Sequence, residues 1–193
     1  MADTLVGLAC NDCRLATIIS PSCTEASPGG NDTTLYIIDK CAIEKYVTYS
    51  TNVIDDIVLN VNEYWIPVTV KPNSLTFEVT IDETAGFYTT NVQFIVDLLS
   101  EDPDFSLSAQ LTLDWLNEIR NPYSKFVVAI QHNNGRYYVF GLPGKTGLKN
   151  GAGTVISSGA ALTDQSGITV TLTGAQTKPP QVLTENFVFD ITP

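Results

Sequence analysis

The sequence is poor in positive charge. Its 193 residues hold 10 Lys and Arg against 21 Asp and Glu, a formal net charge of −11. A protein built to grip nucleic acid sets Lys and Arg against phosphates, so this balance argues against that class. Long apolar runs are also missing. Phe126-Val127-Val128-Ala129-Ile130 is typical and falls far short of the ~20 residues of a membrane helix, so no membrane partner is expected. The first cation is Arg14; without a basic start of the signal-peptide kind, the expectation is synthesis and assembly in a cytoplasm. The single histidine, His132, leaves little for imidazole chemistry. What is present is a 44% hydrophobic chain, too apolar for intrinsic disorder and long enough for one domain with a sizeable core.

Cysteine is confined to the first 41 residues: Cys10, Cys13, Cys23 and Cys41. Cys10-Asn-Asp-Cys13 is a CxxC, and four thiolates can hold zinc tetrahedrally. A zinc ribbon calls for a second CxxC, whereas Cys23 and Cys41 stand apart. Disulfides lack a signal for export to an oxidising compartment. Cysteine as a small buried apolar residue is the preferred reading, and no cofactor is expected.

From Leu35 onward the dominant period is two. Thr76-Phe77-Glu78-Val79-Thr80-Ile81 places Phe77, Val79 and Ile81 on one face; Ile168 to Thr173 repeats the pattern, and Ile57, Leu59 and Val61 alternate with polar or smaller neighbours. Such alternation predicts half-buried antiparallel strands. Asn134-Gly135 between Phe126–Gln131 and Arg136–Phe140 predicts a tight hairpin turn with positive φ angles. A second hairpin is expected to join Leu75–Ile81 to Tyr88–Leu98, and a last strand to run from Val182 to Ile191. One helix is predicted, over about 107–120: Leu107, Leu111, Trp115 and Ile119 form a stripe, Ser106 caps it and Pro122 follows it. Many short strands and one inserted helix predict a mainly β fold, a β-sandwich or barrel of antiparallel strands with one flanking helix. Its expected division is an N-terminal Cys-containing arm and loop over 1–34 and a single sandwich domain over 35–193.

Catalytic patterns do not emerge. Gly144-Lys145-Thr146 resembles the end of a phosphate-binding loop, but position 139 is Val where the motif needs Gly. His132 sits beside a hairpin turn with no nucleophile-elbow pattern nearby. Glu101-Asp102-Pro103-Asp104 lacks the alternating ligands of a calcium loop. The expectation is a protein without enzymatic activity. Its eight Tyr, eight Phe and two Trp suit an interaction surface, since aromatic residues are enriched at interfaces.

The order of short motifs resembles a known family. Asp12-Cys13-Arg14, Gly29-Gly30 and Leu35-Tyr36-Ile37-Ile38 are similar to the opening of virion proteins from tailed phages of gut Bacteroidetes, including crAss-like phages. Phe126–Ile130, Asn133-Asn134-Gly135-Arg136-Tyr137-Tyr138-Val139-Phe140-Gly141, Gly147-Leu148, Asp164-Gln165-Ser166-Gly167, the threonine strand to Leu172, Gly174 and Pro179-Pro180 resemble the closing part of their tail-tube-like proteins. The stretch Ser20–Ser27, with Cys23, departs from that pattern as an insertion. The resemblance implies a sandwich whose protomers close into a ring, sixfold in tail tubes or twelvefold in connectors and collars. It also implies a hairpin or loop that reaches a neighbouring subunit; Asp82 to Asn91, with Asp82, Glu83, Phe87 and Tyr88, is the candidate. No catalytic residues are implied.

The resemblance implies a virion structural protein of the tail tube, connector or collar. Its expected partners are identical subunits, adjacent tail or connector rings, and genomic DNA passing through without sequence-specific binding. An acidic lumen would repel phosphates. The alternative is a carbohydrate-binding or adhesin-like β-sandwich module at a tail tip.

Overall fold

A computed structural model describes residues 31–82, 86–96, 119–143, 147–157 and 167–191. The fold is mainly β, as the period of two predicts. The first sheet contains β1 (Asn31–Asp39), β2 (Ile43–Ser50), β3 (Val53–Leu59), β4 (Ile66–Thr69), β7 (Phe126–His132), β8 (Tyr137–Phe140) and β12 (Gln181–Leu183). Their order is β2-β3-β12-β8-β7-β1-β4. The second sheet contains β5 (Thr76–Asp82), β6 (Phe87–Val96), β9 (Lys149–Asn150), β10 (Val155–Ser157) and β11 (Gly167–Gln176). Here the order is β10-β11-β6-β5, with β9 also on β11. Pairing is antiparallel except between β12 and β3, which are parallel.

The main core lies between the sheets. Alternation supplies it: Leu35 and Ile37 of β1, Val92 and Phe94 of β6, and Ile168, Val170 and Leu172 of β11 all enter one buried cluster. Each such side chain contributes on the order of 1.5–3 kcal/mol by leaving water. The expected helix over 107–120 falls outside the described residues except for Ile119 and Arg120, which are helical; Ile119 enters the main core.

A second apolar cluster covers the opposite face of the first sheet, where Ile38, Ile54, Ile57, Trp65, Val127, Ala129, Val139 and Leu183 meet. Strand β7 is therefore buried on both faces, which explains its uninterrupted Phe126–Ile130 run where alternation would otherwise be expected. Phe187 and Phe189 pack over this cluster from the C-terminal segment.

A corner joins the two sheets. Phe126 and Leu148 exchange backbone hydrogen bonds of 2.7 and 2.8 Å, and the chain then continues as β9 onto β11. Gly174 permits this approach, because a Cβ there would sit 2.8 Å from the Gly147 carbonyl oxygen.

Several local expectations are corrected. The first strand begins at Asn31, four residues before Leu35. The strand through Ile57 ends at Leu59, since Asn62 turns left-handed at φ 66° and Val61 is 90% exposed. The last strand is only Gln181–Leu183; beyond it a single parallel bridge joins Ile191 to Trp65. The Asn134-Gly135 turn has one positive φ, at Gly135. The Asn134 side-chain carbonyl accepts from the Arg136 amide at 3.0 Å, while the Gly135 and His132 amides bond His132 and Arg136 carbonyls. That is a three-residue loop with glycine at its left-handed position.

Candidate assembly surface

The β5–β6 hairpin is continuous in register from Thr76↔Gln93 to Asp82↔Phe87. Gly86, at φ +69°, donates its amide to the Asp82 carbonyl at 2.8 Å and closes the turn. Along the inner face, Phe77 and Val79 pack on the main core, but Ile81 is 65% exposed. The hairpin thus outruns the opposing sheet by its last residue pairs. Phe87 on the other face is 45% exposed, and Tyr88 is half-buried. Where the apolar core stops, the polar pair Gln176 and Thr90 takes over: the buried Gln176 amide nitrogen donates to the Thr90 hydroxyl at 2.8 Å.

The candidate residues Asp82, Phe87 and Tyr88 do meet at this tip, whereas Glu83 lies outside the described residues. Sequence reasoning missed Ile81 as an exposed member, because its place in the alternation marks it as a core position. Only the length of the opposing sheet shows otherwise.

Among the described residues, the outermost strands of the two sheets differ in their protection. Edge strand β2 has three register irregularities against β3 and carries Lys45; β4 contains Pro67; β10 has three residues. Bulges, lysine, proline and shortness all discourage unwanted strand pairing. Strand β5 has seven regularly paired residues and neither lysine nor proline. Its charges, Glu78 and Asp82, are both negative and exposed.

A second feature lies where β1 leaves the first sheet. The Lys40 ammonium donates to the Gly141 and Leu142 carbonyl oxygens at 2.7 and 2.9 Å. Asp39 holds the short 3-10 turn that presents Lys40, its carboxylate accepting from the Cys41 amide at 2.7 Å. Lys40, Ile43, Glu44, Lys45, Tyr46 and Leu142 line an open groove of about 310 Å³. Burial, and secondarily the charge of Lys125, hold the Lys40 pKa below the ordinary lysine value. No sequence motif marks this groove, since its walls are about 100 residues apart in the chain.

The cysteine expectation is corrected at one position: Cys41 is exposed and free. Its backbone serves the turn after β1, and the Asn60 side chain donates to its carbonyl at 2.9 Å. Cys10, Cys13 and Cys23 lie outside the described residues. Among the described residues, no three His, Cys, Asp or Glu side chains gather as a metal site, and no helix is long and apolar enough to cross a membrane. His132 adjoins its turn, its ring T-shaped to that of Tyr138 at 6.0 Å. No protein-family model, curated protein or solved structure matches this chain.

Proposed function

We propose that this protein is a virion structural subunit that assembles into a homo-oligomeric ring of a phage tail tube or connector, enclosing a channel for the genome. The observation that carries this reading is the β5–β6 hairpin, which leaves Ile81 and Phe87 uncovered at its end. Apolar side chains held out beyond a core by a regular hairpin suit burial against a neighbour. A head-to-tail contact between two different surfaces closes into a ring when its rotation permits. The motif order and the net charge of −11 support the same reading, because an acidic channel wall does not retain DNA.

The test is negative-stain microscopy with analytical ultracentrifugation of the purified chain at tens of micromolar. Rings of six or twelve copies are expected, and a monodisperse monomer overturns the proposal. The alternative, a glycan-binding tail-tip module, draws on Tyr49 and Tyr123, which are 80% and 86% exposed. A monomer that binds glycans through these rings would favour it.

A further inference from the structure

Charge is segregated along this chain far more than its total suggests. Between Pro72 and Ile119 there are nine Asp and Glu residues and no Lys or Arg. The whole β5–β6 hairpin falls within that interval and carries Glu78 and Asp82 on exposed positions of β5. The groove beside β2 shows the opposite balance. Lys40 and Lys45 line it with one carboxylate, Glu44, and Lys125 lies close enough to Lys40 to act on its charge. Three of the ten cations of an acidic protein are therefore gathered at one place.

The chemistry of the two features is matched in kind. The hairpin end offers apolar Phe87 beside the Asp82 carboxylate on one face and apolar Ile81 on the other. The groove offers apolar Ile43, Leu142 and the Tyr46 ring beside two ammonium groups. Lysine has three donor protons, and Lys40 gives two to Gly141 and Leu142, so one remains for an incoming carboxylate. A carboxylate would also offset the charge of a half-buried amine whose partners among the described residues are neutral carbonyls.

We propose that the β5–β6 hairpin end of one copy docks into the Lys40–Lys45 groove of the next copy, with Asp82 facing the ammonium groups and Ile81 and Phe87 covering Ile43 and Tyr46. The inference rests on the ring reading and names the surface that receives the hairpin. The two surfaces share no residues and belong to different sheets, so the contact is head-to-tail and leaves both ends available for propagation. Its charged part lies at the surface and weakens as salt screens it.

The experiment is a charge-reversal cycle on the full chain, read by sedimentation velocity and negative stain. Lys45→Glu and Asp82→Lys are each expected to weaken assembly by about tenfold or more, a size typical of close interfacial charge pairs. The Lys45→Glu, Asp82→Lys double variant is expected to regain assembly relative to either single change. Lys45 is exposed, so its variant keeps the wild-type melting temperature and reports on assembly alone; Ile81→Ser, also at an exposed position, tests the apolar part without charge. Rings that form equally well in all single variants, or a double variant no better than the worse single, overturn the docking while leaving the ring reading intact. A wild-type chain that stays monomeric overturns both.

Discussion

Phe189 lies flat on Tyr36, their ring centroids 3.9 Å apart and their planes within 7°. Trp65 and Tyr137 meet the same Phe189 ring edge-on at 5.4 and 5.0 Å, and the Trp65 amide donates to the Asp190 carbonyl at 2.7 Å. The C-terminal segment is thus fastened over the second cluster by both rings and backbone. Phe189→Ala is expected to lower stability by about 2–3 kcal/mol, since a partly buried aromatic falls below the cost of a fully buried one. Urea unfolding checks the magnitude. A red-shifted tryptophan emission in the still-folded variant, read on a Trp115→Phe background so that Trp65 alone reports, would show that the cover has opened.

Gln181 occupies the face of β12 that also carries Leu183, and it is fully buried. Among the described residues, neither its amide nitrogen nor its oxygen has a hydrogen-bond partner. A buried amide in this state costs on the order of 1–3 kcal/mol. Gln181→Met keeps the length and removes the polar group, so it is expected to raise the unfolding free energy by about 1–2 kcal/mol. A destabilised variant would mean that the amide makes an interaction in solution that offsets its burial. Gln176 is the useful contrast, because its amide nitrogen bonds Thr90; Gln176→Met is expected to stabilise less or not at all.

The strands of the second sheet were legible because each residue's position follows from its immediate neighbours. Phe77, Val79 and Ile81 share a face in the sequence pattern and in the hairpin. The second cluster was not, since it depends on Phe187 and Phe189 folding back over β7, about sixty residues upstream. In β3, Ile54 and Ile57 are both buried although three residues apart, and the irregular pairing with β2 is what resets their parity. A strict period of two cannot anticipate that. Asp55-Asp56, between Ile54 and Ile57, sits on exposed positions of the same strand. The hairpin candidate was readable from Phe87 and Tyr88 near a polar turn, but the cationic groove required Lys40 to meet Gly141 and Leu142 across the fold.

Gly141 stands at a backbone conformation with φ +84°, and an added Cβ would collide with the Phe126 carbonyl oxygen and press on Leu148. These are the two residues whose hydrogen bonds form the corner between the sheets. Gly141 also supplies one of the carbonyls that hold Lys40. Gly141→Ala therefore combines left-handed strain with a backbone clash and is expected to cost about 3 kcal/mol or more. Thermal melts by circular dichroism measure it. Gly135→Ala is the control: its φ is +79° but a Cβ there meets nothing within 4 Å, so only the strain, about 1–2 kcal/mol, should appear.

Lys40 gives the fold a pH dependence of definite sign. Burial first, and Lys125 second, lower its pKa in the folded chain, so between that value and the ordinary lysine pKa the unfolded chain binds more protons than the folded one. Stability from this group then rises with pH across that window, and is lost as pH falls through the folded-state pKa. The separate contributions can be resolved by carbon-13 NMR titration of the Lys40 side chain. Lys125→Met removes the charge but not the burial, so the Lys40 midpoint should move upward yet stay below that of an exposed lysine. A midpoint that does not move would show that the Lys125 charge is screened at this distance. If it rises fully to that of an exposed lysine, the Lys125 charge outweighs burial as the cause of the lowered pKa.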